Sequence, residues 1–155
     1  MTLDPASFRD ALSRFASGVT VVTVGSDGGL HGMTASSFAS VSLEPPRVLV
    51  CLDKSSRTRA LLADTFAINV LSADQEDISR AFAHAGDKPF DSHGHEIGSS
   101  GAPLLHGAIA WIECRTSSIV DGGDHDIIVG DVMGCTSGDG DPLIYYARNY
   151  RSLDR

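Results

Sequence analysis

Gly32-Met33-Thr34-Ala35-Ser36-Ser37-Phe38, continuing through Ser40-Val41-Ser42 to Pro45-Pro46, is the stretch on which the reading of this chain turns. Small hydroxyl residues stand between two strand-like runs, and the double proline stops the run because proline fixes φ and donates no N–H. Such a segment is expected to be a loop that presents backbone N–H groups and hydroxyls at close range. It suits a flat, polar-edged, phosphate-bearing cofactor better than a packed core. Alone, Thr-Ala-Ser-Ser is a weak pattern, because serine-rich turns also serve as plain hairpin connections.

The flanks decide the fold class. Upstream, Val19-Thr20-Val21-Val22-Thr23-Val24 is almost wholly β-branched and predicts a strand. The turn Ser26-Asp27-Gly28-Gly29 makes Leu30 to Ala35 its hairpin partner. Downstream, Arg47 to Leu52, Phe66 to Leu71, Ile109 to Ser118, Ile127 to Thr136 and Leu143 to Tyr146 read as further strands. Helices are few. Asp4 caps and Pro5 opens a first one, with Phe8, Ala11, Leu12 and Phe15 on one face and Gly18 at its end. Ser55 or Ser56 caps a short second helix. Ser72-Ala73-Asp74-Gln75 resembles a capping box before a third, Glu76 to His84, whose buried face is Ile78, Ala81 and Phe82. Ala85 to Leu105 reads as a long irregular segment of the kind that forms lids and binding loops. Many strands with few short helices predict a closed antiparallel barrel. A doubly wound sheet needs a regular strand–helix alternation that is missing here.

The 155 residues fit one domain, residues 1–155, with 42% hydrophobic and 21% charged residues. A net charge of −8 argues against nucleic-acid binding and against an anionic membrane surface, both of which need clustered Lys and Arg. No apolar run reaches membrane-spanning length and no signal peptide is visible, so a cytoplasmic location is expected. The cysteines Cys51, Cys114 and Cys135 form no CxxC and read as free, buried thiols.

Three further segments carry chemistry. Asp53-Lys54-Ser55-Ser56-Arg57-Thr58-Arg59 is a basic turn at a helix start, where N–H groups face anions, or else a solvated turn. Gly122-Gly123-Asp124-His125-Asp126 sets a histidine beside two aspartates at the mouth of a strand. Pro142-Leu143-Ile144-Tyr145-Tyr146-Ala147-Arg148-Asn149-Tyr150 offers aromatics that stack on a ring or pack the barrel end.

In this order the segments resemble the flavin reductase component of two-component flavin-dependent monooxygenases, of the FMN-binding split-barrel type. The match runs from Phe8 to Leu153. It includes Phe15-Ala16-Ser17-Gly18-Val19-Thr20-Val21-Val22-Thr23, the Gly32–Pro46 stretch, Phe66–Leu71, Gly123-Asp124-His125 with Gly130-Asp131-Val132, and Pro142–Tyr146. The resemblance implies a mainly β, antiparallel, Greek-key-like split barrel that works as a homodimer, with flavin near the subunit interface. It implies that Met33, Thr34, Ala35, Ser36 and Ser37, with Ser40, Val41 and Ser42, lie against FMN or FAD. Lys54, Ser55, Ser56 and Thr58 then hold phosphate, and Phe90 touches flavin. Many relatives set Lys and Phe adjacent, whereas Pro89 separates Lys88 from Phe90 here. Asp124 and His125 belong to the nicotinamide side, His125 positioning the carboxamide. Tyr145, Tyr146, Arg148 and Tyr150 cover the nucleotide.

The implied reaction moves hydride from NADH or NADPH to flavin and hands reduced flavin by diffusion to a separate monooxygenase. The cofactor supplies the hard chemistry. NADH is favoured because no arginine cluster stands ready for a 2′-phosphate. Three other readings stay open on the residues alone. One is a flavin-binding barrel without reductase activity. A second is a metal site from His84, Asp91, His93, His95 and Glu96. The third is a serine hydrolase, disfavoured by the missing G-x-S-x-G elbow.

Overall fold

A computed structural model describes residues 2–154. Its main body is a seven-stranded antiparallel sheet in the order β3-β2-β6-β9-β10-β5-β4. The strands are β2 (Thr20–Ser26), β3 (Gly29–Ala35), β4 (Ala39–Leu43), β5 (Pro46–Asp53), β6 (Thr65–Val70), β9 (Ala110–Asp121) and β10 (His125–Ser137). The two edge strands, β3 and β4, are consecutive in the chain and joined only by Ser36, Ser37 and Phe38. Laid flat, the sheet would separate them by six strand spacings of about 4.8 Å, roughly 29 Å. Three linking residues span at most about 14 Å. The sheet therefore curls until its edges meet, which makes the barrel.

The Ser37 hydroxyl fastens the crossing. It donates to the Cys51 carbonyl at 3.1 Å and accepts the Cys51 N–H at 2.9 Å. The presumed long loop is thus mostly strand: Gly32–Ala35 ends β3, Ala39–Leu43 is β4, and only three residues are irregular between them. A cis Glu44–Pro45 bond turns β4 into β5.

The β-branched run is explained by burial on both faces of β2. Val22 and Val24 point into the barrel beside Val50, Leu52, Phe66, Ile68 and Ile128. Val19 and Val21 pack on the other side with Leu71, Ile78, Phe82, Phe90, Leu105 and Leu143. A strand covered on both sides has no reason to alternate apolar with polar. The outer cover is α3 (Glu76–Ala83), supported by the one-turn helix α4 (Phe90–His93). The capping box before α3 is half formed. Gln75 Oε1 accepts the Ser72 N–H at 3.0 Å, while the Ser72 hydroxyl turns to Asp74.

Several expectations need correction. The first helix, α1 (Pro5–Ser13), is capped by Asp4 as its sequence requires, but it buries no residue. Phe8, Leu12 and Phe15 are exposed, so their stripe is not core of this chain. The segment expected to be irregular contains α4, β7 (His95–Ile97) and β8 (Pro103–Leu105). Two further short strands escaped the sequence reading, β1 (Ser17–Gly18) and β12 (Asn149–Arg151). They flank β11 (Ile144–Tyr146) in a three-stranded sheet. Of the thiols, Cys114 is buried, Cys51 half-buried and Cys135 exposed. Among the described residues no helix is long and apolar enough to cross a membrane.

Candidate flavin and nicotinamide site

The last half of β3 and the turn after it run past three cavities that share lining residues. The middle one, about 200 Å³, is lined by Met33, Thr34, Ala35, Ser36, Ser37, Cys51 and His125. Closure of the barrel brings these together. The β3–β4 crossing lies over β5, and β10 pairs with β5 in a register that sets His125 opposite Asp53. The β9–β10 hairpin turns at Gly122 and Gly123, and Gly123 has φ +102°, a conformation that favours glycine. His125 Nδ1 lies 2.8 Å from Asp124 Oδ1, which leaves Nε2 as the free ring nitrogen of that pair. Both side chains are solvent-accessible.

The second cavity, about 400 Å³, lies between β3, the Asp53–Thr58 turn and the end of α3. It is lined by Ser55, Ser56, Arg57 and Thr58 together with His31, His84 and Lys88. The turn is built from its own hydrogen bonds. Ser55 donates its N–H and hydroxyl to Asp53 Oδ1 at 2.7 and 2.6 Å, which holds that carboxyl below the usual range. Ser56 caps the short helix α2 (Arg57–Leu61), its hydroxyl accepting the Arg59 N–H at 3.1 Å. Thr58 Oγ1 lies 2.7 Å from His31 Nδ1. The opposite nitrogen, His31 Nε2, is buried without a hydrogen-bond partner among the described residues. Burial pushes the His31 pKa down, and Lys88 and Arg57 push the same way against the Gly86 backbone and Asp87. Lys88 Nζ donates to the carbonyls of Phe82 and His84, and burial lowers its pKa. Two cations, Arg57 and Lys88, with the hydroxyl residues Ser55, Ser56 and Thr58 along one cavity fit a phosphate group.

Lys54 is placed differently from the expectation. It lines none of the three cavities, and its Nζ is engaged by Asp121, with Asp126 at 3.9 Å. Arg57 forms no ion pair among the described residues and lines the phosphate-like cavity.

The third cavity, about 270 Å³, is bounded by Thr34, Ser36, Ser79, Arg80, Tyr145, Arg148 and Tyr150. The Thr34 hydroxyl donates to the Ser79 carbonyl at 2.6 Å, and Ser79 Oγ lies 2.6 Å from the Tyr150 hydroxyl. The Arg80 guanidinium sits 4.8 Å from the Tyr150 ring centre. Ala147 and Arg148 turn the β11–β12 hairpin with φ +50° and +63°, left-handed backbone that costs non-glycine residues energy.

Other expected contacts are not brought together here. Ser40, Val41 and Ser42 lie on edge strand β4 and line none of these cavities. Phe90 is buried in the core, edge-on to Phe82 at 5.1 Å and to His95 at 5.4 Å, and so is unavailable to a ligand. Tyr146 also lies outside the three cavities, with Arg151 over its ring at 5.9 Å. The histidine-rich segment disperses. His93 approaches Asp77 at 3.9 Å, His95 Nδ1 lies 3.1 Å from the Phe90 carbonyl, and no group of three potential metal ligands exists among the described residues.

The rolled antiparallel barrel sets a polar crossing, an Asp-His hairpin and a basic turn along one groove, an arrangement suited to a flat, phosphate-bearing cofactor. The match to a family model is specific: residues 12–154 fit the flavin reductase like domain, and the chain belongs to that family. The chain is 48% identical over 141 residues to FMN reductase (NADH) SmoA of Agrobacterium fabrum, covering 90% of this chain and 80% of that one. It is 41% identical to the reductase component of a 4-nitrophenol 4-monooxygenase/4-nitrocatechol 2-monooxygenase of Rhodococcus opacus, covering 93% and 78%. Among solved structures, NADH:FAD oxidoreductase SgcE6 of Streptomyces globisporus, in complex with NAD and FAD fragments, superposes with a TM-score of 0.92. It shares 38% identity over 99% of this chain and 97% of that one.

Proposed function

We propose that the protein is an NADH-dependent flavin reductase that reduces FMN or FAD and supplies the reduced flavin to a separate monooxygenase. The observation that carries this reading is the groove along Met33–Ser37, with His125 at its centre and the cations Arg57 and Lys88 at one end. The names of the relatives, NADH-dependent FMN and FAD reductases and monooxygenase reductase components, support it.

Bound flavin supplies the two-electron chemistry, accepting hydride from the nicotinamide. The chain's own residues bind, orient and shield. Ser36 and the backbone of the crossing border the ring, while Ser37 keeps the crossing in place through Cys51. Arg57, Lys88 and His31 hold the phosphate, with Ser55, Ser56 and Thr58 lining that end. His125 positions the carboxamide, its ring oriented by Asp124. Tyr150, fixed by Ser79 and Arg80, closes the far end of the groove. No general base is required, and none of these groups needs to move a proton.

The chain acts as one cytoplasmic domain and assembles as a homodimer. The exposed apolar side chains Phe8, Leu12 and Phe15 on α1, with Val41 and Leu43 on β4, support a second copy as their cover. Such a dimer would also place Ser40–Ser42 at the interface. Sedimentation tests this, and a monomer at micromolar concentration refutes it.

The activity test is NADH oxidation by the purified chain with FMN, FAD or riboflavin. Turnover with at least one is expected; none with any would leave a flavin-binding barrel without reductase activity. His125→Ala should raise the NADH KM strongly and leave flavin affinity nearly intact.

A further inference from the structure

Asp124, the obvious partner of His125, is poorly placed to hold it. Its side chain is almost wholly exposed, and exposed pairs contribute little. The firmer attachment comes from the other side of the strand. Successive side chains on a strand point to opposite faces, so Asp126 points away from the face that presents His125. Asp126 Oδ2 accepts a hydrogen bond from Arg59 Nε at 2.7 Å. The two side chains are only 14% and 23% exposed, so salt screens them less than a surface pair.

The neighbouring turn completes the grip. The Lys54 N–H donates to the Asp124 carbonyl at 3.1 Å, its Nζ engages Asp121, and Asp126 lies 3.9 Å from the same ammonium. Within the hairpin, the Gly122 N–H donates to the His125 carbonyl at 2.9 Å. Both strand ends are therefore tied to the segment running from β5 into α2. On α2, Arg57 lines the phosphate-like cavity, whereas Arg59, two residues on, pairs with the hairpin.

We propose that Arg59, acting through Asp126, is a positioning residue for His125. It fixes the strand end from which His125 meets the nicotinamide and does not itself touch flavin or nucleotide. The proposal rests on the nicotinamide-side reading of His125. Its specific content is a division of labour between two cations of one short helix. Loss of Arg57 should weaken the phosphate end, and loss of Arg59 should weaken only the use of NADH.

The test measures KM for NADH and for FMN on the full chain carrying Arg59→Met, Arg59→Lys or Asp126→Asn. Each change is made alone and combined with His125→Ala, and melting temperatures identify folded variants. Arg59→Met should raise the NADH KM about tenfold, within the range of coupling between residues of one hydrogen-bonded network. The FMN KM should stay within about twofold, and Arg59→Lys should restore most of the loss. Asp126→Asn, which keeps the size of the side chain, should show the same split more weakly. In the His125→Ala background the Arg59→Met effect should shrink to less than about twofold, because residues acting through one another are not additive. Parallel rises in both KM values, or an undiminished effect without His125, would overturn the proposal. If His125→Ala raises the NADH KM and Arg59→Met does not, only the positioning role fails. If His125→Ala changes nothing, the nicotinamide-side reading fails and the proposal goes with it.

Discussion

Removing Arg57 tests the phosphate end of the groove against the sequence expectation that placed Lys54 there. Arg57 lines the cavity with His31, Lys88 and Thr58 and has no ion pair among the described residues. Its guanidinium is therefore available to a phosphate. A hydrogen bond to a charged group contributes about 1.5–3 kcal/mol. Arg57 is exposed, so solvent screening reduces this to about 1–2 kcal/mol. That corresponds to roughly a 5- to 30-fold loss of FMN affinity in Arg57→Ala. Lys54→Ala should cost less than about threefold, because its ammonium is already engaged by Asp121 and stands near Asp126. Riboflavin has the same ring and no phosphate, so its affinity should be unchanged by either substitution. Flavin fluorescence titration at low and moderate salt measures all four values, and FMN affinity should weaken with salt while riboflavin affinity does not. Equal losses for FMN and riboflavin, or a larger FMN loss in Lys54→Ala than in Arg57→Ala, would refute this assignment.

His31 should shape the acid limb of stability. Its folded pKa lies below the usual 6.5, so as pH falls the unfolded chain takes up the proton first. The stabilisation is complete above about pH 6.5 and is lost progressively below it; melting curves of wild type and His31→Asn should converge on acidification. In Gly130→Ala, the added methyl would stand 2.7 Å from Phe66 Cζ and 2.8 Å from Cys114 Cβ. Overpacking of this kind costs about 1–3 kcal/mol, a fall of roughly 3–10 °C in Tm by calorimetry, and an unchanged Tm would show that the core yields. Native-state titration with a thiol reagent should modify Cys135 quickly and leave Cys114 untouched until unfolding, because Cys114 is buried and its pKa is pushed up to about 12. Early labelling of Cys114 would mean that β9 opens locally.

Six of the seven barrel strands were legible because β-branched runs and glycine turns act locally, whereas the small polar run of β4 (Ala39–Leu43) read as loop. Val19–Val24 announced β2, and Gly28-Gly29 its hairpin. The cap of α1 was legible for the same reason, since Asp4 bonds to residues two and three positions ahead. The helix face was not. Phe8, Leu12 and Phe15 have helical spacing, but periodicity does not say whether the surface facing a stripe belongs to the same chain. The site divides in the same way. Residue type singled out Ser36, Ser37, His125 and the Ser55–Thr58 turn, and the fold sets them along adjoining cavities. Lys54 and Phe90 were given ligand roles from residue type, while the structure engages Lys54 with carboxylates from β9 and β10 and packs Phe90 against Phe82 and His95. His31 went unassigned and Arg59 was read only as charge on the basic turn, because their partners lie 27 and 67 positions away.

By itself the sequence determined the long β-branched strands, the glycine turns that join them, and which small polar residues lie between them. It also carried, in the order of its motifs, the family to which the chain belongs. Only the tertiary structure decided how the Gly32–Pro46 stretch is used. Three residues joining the two edges of a seven-stranded sheet force it to close, and closure brings β3, β5 and β10 to one groove. It also decided which cations remain available to a ligand, because an ion pair depends on distances that pairing register and burial set and that spacing along the chain does not.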